Sequence, residues 1–202
     1  MALGKGLILV FDLDQTLVGW YSDNSNEPWS PAEMKFRFNT RLLSVLKECF
    51  LSKEAGVVST IMVLSNNTNP EEAIAAIEKK VGSKFDFVVG RNHPLRDTTT
   101  TTVKDLATIS RAVGYDVEPN KVWLVDDMKH KMVTEGVNWI HVAKQENNPY
   151  GSGFTEDPDL TDYSPLQNVI NAYLRTRGGR RKTKRRNQKK RRHSKNKKRN
   201  HA

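Results

Sequence analysis

Five short, mostly apolar runs recur along the chain. They are Leu7-Ile8-Leu9-Val10-Phe11, Thr60-Ile61-Met62-Val63-Leu64, Phe85-Asp86-Phe87-Val88-Val89, Val122-Trp123-Leu124-Val125 and Trp139-Ile140-His141-Val142-Ala143. Runs of this length are too short for buried helices. They read as strands covered on both faces, the pattern of a parallel sheet. The stretches between them carry helical spacing. Thr40 to Lys53 puts Leu42, Leu43, Leu46 and Phe50 on one face. Pro70 to Val81 has Asn69 as the expected N-cap, Pro70 at its first position, Glu71 and Glu72 in its first turn, and Gly82 as its stop. Lys104 to Val113 is a third helix ended by Gly114, and Ser164 to Arg175, with Pro165 near its start, is a fourth. Strand and helix alternate, which predicts an α/β fold: a three-layer sandwich with a central parallel sheet.

Two segments break the alternation. Residues 18–38 hold Trp20, Tyr21, Trp29, Phe36 and Phe38 among polar residues and read as a flap or hairpin. Residues 144–163 are rich in Asn, Gly, Pro and Asp and read as a surface loop. Charge then divides the chain. Of its 33 Lys/Arg, 16 fall from Arg175 onward with no acid among them, so the body has 17 against all 23 Asp/Glu, a balance of −6. The net +10 therefore belongs to the end of the chain. Residues 1–176 are the expected folded domain. Residues 177–202 are an expected disordered basic tail, highly charged and without apolar periodicity.

The lone cysteine, Cys49, sits in the first helical pattern and is expected to be a buried thiol in a reducing compartment. Without a signal-like apolar N-terminus or a membrane-length run, the chain is expected to be intracellular, compatible with the nucleus, and away from membranes. On that ground the Asn66-Asn67-Thr68 sequon is discounted.

In open α/β sheets, ligands meet the protein beyond the carboxyl ends of the strands. Three expected strands end in reactive groups. The first runs into Asp12-Leu13-Asp14-Gln15-Thr16, the second into Ser65-Asn66 and the fourth into Asp126-Asp127. Lys104, at the start of the third helix, adds an ammonium. These types suit phosphoryl transfer. A hard divalent cation held by carboxylates offsets the repulsion between an anionic nucleophile and a phosphate dianion. Asp12 can then attack phosphorus, and Asp14 can protonate the leaving oxygen and later activate water. Ser65 can donate to phosphoryl oxygens, and Lys104 can neutralise their charge.

FDLDQTL, Ser65, Lys104 and VWLVDD, in that order and spacing, resemble the four motifs of the haloacid dehalogenase (HAD) superfamily, and Asp14 resembles its phosphatase branch. Thr102-Val103-Lys104-Asp105-Leu106, with Arg111 and VWLVDD following, is similar to the FCP/SCP group, phosphatases of the RNA polymerase II C-terminal domain. That group usually has Glu at the position of Gln15 and Asp-Asn at the position of Asp126-Asp127. The resemblance implies Mg²⁺ as cofactor. Its ligands would be Asp12, the backbone of Asp14, and Asp126 or Asp127.

Thr16, Asn66 and Trp20 are the expected substrate-side residues. The slots for a cap domain are about 20 residues and the 38 residues 66–103, and the second must also hold a helix and a strand. An open site, fit for a phosphorylated macromolecule and above all a phosphoprotein, is the expectation. A nucleic-acid end phosphatase and a non-enzymatic nucleic-acid-associated protein are the alternatives. The tail, 177–202, is expected to bind nucleic acid nonspecifically, since it lacks aromatics for stacking. Nuclear targeting and simple solubilisation are its other readings.

Overall fold

Strand β1 (Leu7–Phe11) is wholly buried and forms the centre of a five-stranded sheet. The computed structural model describes residues 6–21, 35–96, 103–128, 136–142, 161–172 and 175, with backbone alone for 20–21 and 35–37. On one side of β1 lie β4 (Val58–Leu64) and then β5 (Phe87–Val89). On the other lie β6 (Val122–Asp126) and then β7 (Asn138–His141). Every pairing in this sheet is parallel. The other two strands among the described residues, β2 (Val18–Tyr21) and β3 (Lys35–Phe38), form an antiparallel hairpin, as expected for the 18–38 segment.

The strand period of two divides the core. Leu7, Leu9 and Phe11 of β1 pack into one apolar layer with helices α1 (Thr40–Glu54) and α2 (Glu71–Val81) and with Leu166 and Ile170 of the helical residues 164–172. Ile8 and Val10 pack into the opposite layer with Ile109 and Ala112 of α3 (Leu106–Val113). The result is a three-layer α/β sandwich. Its chain moves from β1 outward to β4 and β5, then crosses over α3 to β6 on the far side of β1. That reversal puts a switch point at the carboxyl end of β1, where open α/β sheets bind ligands.

The helix ends follow the expected chemistry with two corrections. Gly82 and Gly114 close α2 and α3 in the left-handed conformation, as their sequence positions indicate. The N-cap of α2, however, is Pro70, with no side-chain capping bond. Asn69 instead gives its backbone N–H to the Asn67 side chain. Lys104 is not in α3. The helix begins at Leu106 behind Asp105, whose carboxylate caps Thr108 N–H. A short polar side chain that bonds the backbone two or three residues on outcompetes a helical start for its neighbours.

Asn39 caps α1 and does more. Its Oδ1 accepts Leu42 N–H at 2.9 Å, and its Nδ2 donates to Thr16 O and to the Tyr163 hydroxyl, each at 3.2 Å. One buried side chain thus ties the β1 exit loop, α1 and the start of the last helix together. Cys49 is buried in α1, and burial pushes its thiol up to about 12. Among the described residues no helix is long and apolar enough to cross a membrane. The expected 144–163 loop, apart from 161–163, and the basic tail lie outside the described residues.

Candidate active site

The register of the sheet decides which strand ends meet. Phe11 pairs with Val63 of β4 and with Val125 of β6, so Asp12 leaves β1 level with Asp126. Asp12 N–H donates to Val125 O at 2.9 Å, which holds the first carboxylate against β6. Beyond Asp12 the chain makes a single tight turn. Leu13 O accepts the N–H groups of Leu17 and Val18 at 2.9 and 3.0 Å, and Gln15 sits at φ 62°. A non-glycine residue in the left-handed region is uncommon and carries strain of about 1–3 kcal/mol.

At the centre of the site Lys104 is 2% exposed, with Nζ 2.5 Å from Asp12 Oδ1 and 2.6 Å from Asp126 Oδ2. Asp12, Asp126 and Asp127 are all buried, and each offers an oxygen within 4.8 Å of the others. The Asp12 carboxyl is pushed up to about 7: burial raises it most, Asp126 and Asp127 also raise it, and Lys104 pulls it down. Among the described residues, three buried carboxylates gather around one ammonium. An all-oxygen donor set of this kind fits a hard divalent cation such as Mg²⁺. Asp126 Oδ1 is steadied by Met128 N–H at 2.7 Å. His141 Nε2 lies 3.0 Å from Asp127 O.

The Asp14 side chain stands apart from this cluster. Its Oδ1 accepts from Asn67 Nδ2 at 3.0 Å, and its Oδ2 lies 3.4 Å from the Ser65 hydroxyl. Ser65 follows β4, with its N–H on Val89 O at 3.0 Å. Its Oγ accepts Asn67 N–H at 3.1 Å. Asp14, Asn66 and Asn67 are half-buried, whereas Asp12, Ser65, Lys104, Asp126 and Asp127 are buried, so solvent reaches the site from the side of the first three.

Asp12, Asp14, Ser65, Lys104, Asp126 and Asp127 are therefore brought to one sheet edge. Thr16 is fully buried, and its Oγ1 accepts Asp127 N–H at 3.2 Å, joining the β1 turn to the β6 end. Asn66 Oδ1 accepts from Arg96 at 2.7 Å. The Trp20 side chain lies outside the described residues, and so do Thr98 to Thr102. His93 turns its Nδ1 to Leu95 N–H within its own loop.

Two residues at the site escaped the sequence reading. Arg96 is 6% exposed and donates to Ser65 O at 3.4 Å as well as to Asn66, and burial holds its pKa below the usual arginine value. A lone arginine in a polar loop carries no periodic signal. Asn67 lies beside Asn66 past the end of β4, where no periodic pattern tells the two apart.

A parallel α/β sheet whose central strand ends in Asp-x-Asp, flanked by a hydroxyl, a buried lysine and a pair of aspartates, defines a phosphohydrolase of the HAD class. A family model described as NLI interacting factor-like phosphatase matches residues 7–171. The chain belongs to that family, an FCP/SCP-like group within the HAD superfamily, and is a phosphatase. Comparison with curated proteins gives no match.

Proposed function

We propose that the protein is a Mg²⁺-dependent phosphomonoesterase that works through an aspartyl-phosphate on Asp12 and acts on phosphoserine or phosphothreonine in proteins. The observation that carries the chemistry is the buried cluster of Asp12, Lys104, Asp126 and Asp127, with Asp14 on the same edge. Bound by Asp12, Asp126 and Asp127, Mg²⁺ would keep these carboxylates ionised and offset the charge of the phosphate dianion.

Asp12 attacks phosphorus, and a bond forms from its carboxylate oxygen as the bond to the leaving oxygen breaks. Asp14 gives that oxygen its proton. It then takes a proton from the water that displaces Asp12 and releases inorganic phosphate. The Ser65 hydroxyl donates to a phosphoryl oxygen, and the Lys104 ammonium balances charge that builds up during transfer.

The macromolecular substrate is supported by the short slots for a cap and by a groove of about 530 Å³ beside the Ser65–Thr68 turn. Thr68, Pro70, Ile74, Val88, Gly90 and His93 line part of this groove. It gives residues flanking a phosphoserine a place to lie. A nucleic-acid terminus is the second reading, motivated by the 16 Lys/Arg from Arg175 onward.

The deciding experiment assays phosphopeptides and 3′- and 5′-phosphorylated oligonucleotides with Mg²⁺ and with EDTA. Turnover of phosphopeptides that stops in EDTA and in Asp12→Asn is the expected result. Activity that persists in Asp12→Asn would refute the aspartyl-phosphate. Turnover of the oligonucleotides alone would move the substrate to nucleic-acid ends.

A further inference from the structure

Asp14 is held from the neighbouring strand end. Asn67, on the turn that leaves β4, donates from Nδ2 to Asp14 Oδ1 at 3.0 Å. Which end of an asparagine amide faces a partner is decided by its other bonds. Here Asn67 Oδ1 accepts the backbone N–H of Asn69 at 2.8 Å. A backbone N–H only donates, so the oxygen must lie on that side and the NH₂ group must face Asp14. The backbone of Asn67 is tied at both ends: its N–H goes to Ser65 Oγ at 3.1 Å, and its carbonyl accepts Arg91 N–H at 2.9 Å. Gly90 closes on the same carbonyl, since a Cβ there would stand 3.0 Å from Asn67 O and 3.3 Å from Pro70 Cγ. Asn67 is therefore a donor with little freedom to turn away.

We infer that Asn67 is the positioning residue of the acid–base step; this rests on the reading of Asp14 as general acid given above. Asp14 Oδ1 is held by the amide at 3.0 Å, whereas Oδ2 meets the Ser65 hydroxyl only at 3.4 Å, so Oδ2 is the oxygen that serves the acid–base step. Asn67 N–H meanwhile occupies a lone pair of Ser65 Oγ, and the hydroxyl hydrogen, directed at Asp14 Oδ2 at 3.4 Å, can turn to a phosphoryl oxygen when one is bound. One residue thus sets the proton donor and the phosphoryl donor on the same side. In the first step the Asp14 Oδ2 proton goes to the leaving oxygen, which keeps the electron pair of its broken P–O bond. In the second step Oδ2 recovers a proton from water. The side-chain oxygen of the neighbouring Asn66 faces Arg96 instead.

The test uses the full chain with Mg²⁺ and compares kcat/KM for two small substrates. Phenyl phosphate needs a proton on its leaving oxygen; 2,4-dinitrophenyl phosphate does not. Asn67→Asp keeps an acceptor for Asn69 N–H but replaces the donor with a carboxylate, and Asn67→Ala is the uncharged second variant should the first fail to fold. Because general acid catalysis is worth about 10²–10⁴-fold, both variants should lose about tenfold or more on phenyl phosphate and stay within about threefold on the dinitrophenyl ester. Asp14→Asn should show the same selectivity, and adding Asn67→Ala to it should cost nothing further on either substrate. Equal losses on both substrates, or none, in the Asn67 variants would overturn the inference while a selective Asp14→Asn keeps the acid assignment standing. A non-selective Asp14→Asn would remove the acid assignment itself, and this inference with it.

Discussion

Replacing Lys104 with methionine tests the electrostatic centre of the site through stability alone. The side chain is 2% exposed, and its ammonium meets Asp12 at 2.5 Å and Asp126 at 2.6 Å. Methionine fills much the same volume but leaves two buried carboxylates without their cation. Removing one partner of a buried ion pair costs about 3–5 kcal/mol. In a domain of this size that lowers Tm by roughly 6–20 °C. The control is Lys53→Met, which removes an ion pair to Asp86 whose side chains are 30% and 27% exposed. Exposed pairs of that kind contribute about 0–1 kcal/mol. Urea unfolding at pH 8 in EDTA, extrapolated linearly, measures both variants without metal binding entering the comparison. The gap between them should narrow at pH 5, where protonation of Asp12 removes one of the charges that Lys104 neutralised. A Lys104→Met defect no larger than that of Lys53→Met at pH 8 would refute the placement of the ammonium between Asp12 and Asp126.

Three further outcomes follow from particular contacts. The Asp12 carboxyl is pushed up from 3.8 to about 7, chiefly by burial, so between these values the folded state binds its proton more tightly than the unfolded state. In EDTA its stabilising contribution is full below about pH 4 and is lost as pH rises through about 7; urea midpoints should fall across that window, and Asp12→Asn should flatten the slope. Asn39→Asp keeps the cap on Leu42 N–H but loses the donations to Thr16 O and Tyr163, which should cost about 1–3 kcal/mol in urea melts, and Asn39→Ala about 1 kcal/mol more. Truncation after Gly179 should leave hydrolysis of small phosphate esters unchanged while abolishing most nucleic-acid binding at low salt, measured by anisotropy on a labelled duplex; retained binding would place that affinity in the body of the protein.

Much of the fold was legible because burial leaves a strong local signature. β1 reads as five apolar residues in a row and is buried along its whole length. Gly82 and Gly114 stop their helices because each sits in the left-handed conformation that glycine adopts without strain. Asp12, Asp14 and Asp126-Asp127 were legible for a related reason: carboxylates directly after apolar strands are costly unless something uses them.

The errors fell where the chain leaves regular structure. Asn69 was expected to cap α2, and Lys104 to lie within α3. In both places a nearby side chain, Asn67 or Asp105, captures a backbone N–H and resets where the helix begins. Local sequence therefore determined the elements, their order, and the donor types at each strand end. Only the tertiary structure decided which of those donors meet. The parallel register sets Phe11 against both Val63 and Val125, so Asp12 and Asp126 share one lysine. Hydrogen bonds beyond the strand end turn Asn67 toward Asp14. Periodicity ends with the strand, and past that point a side chain's direction is set by hydrogen bonds to segments distant in the chain.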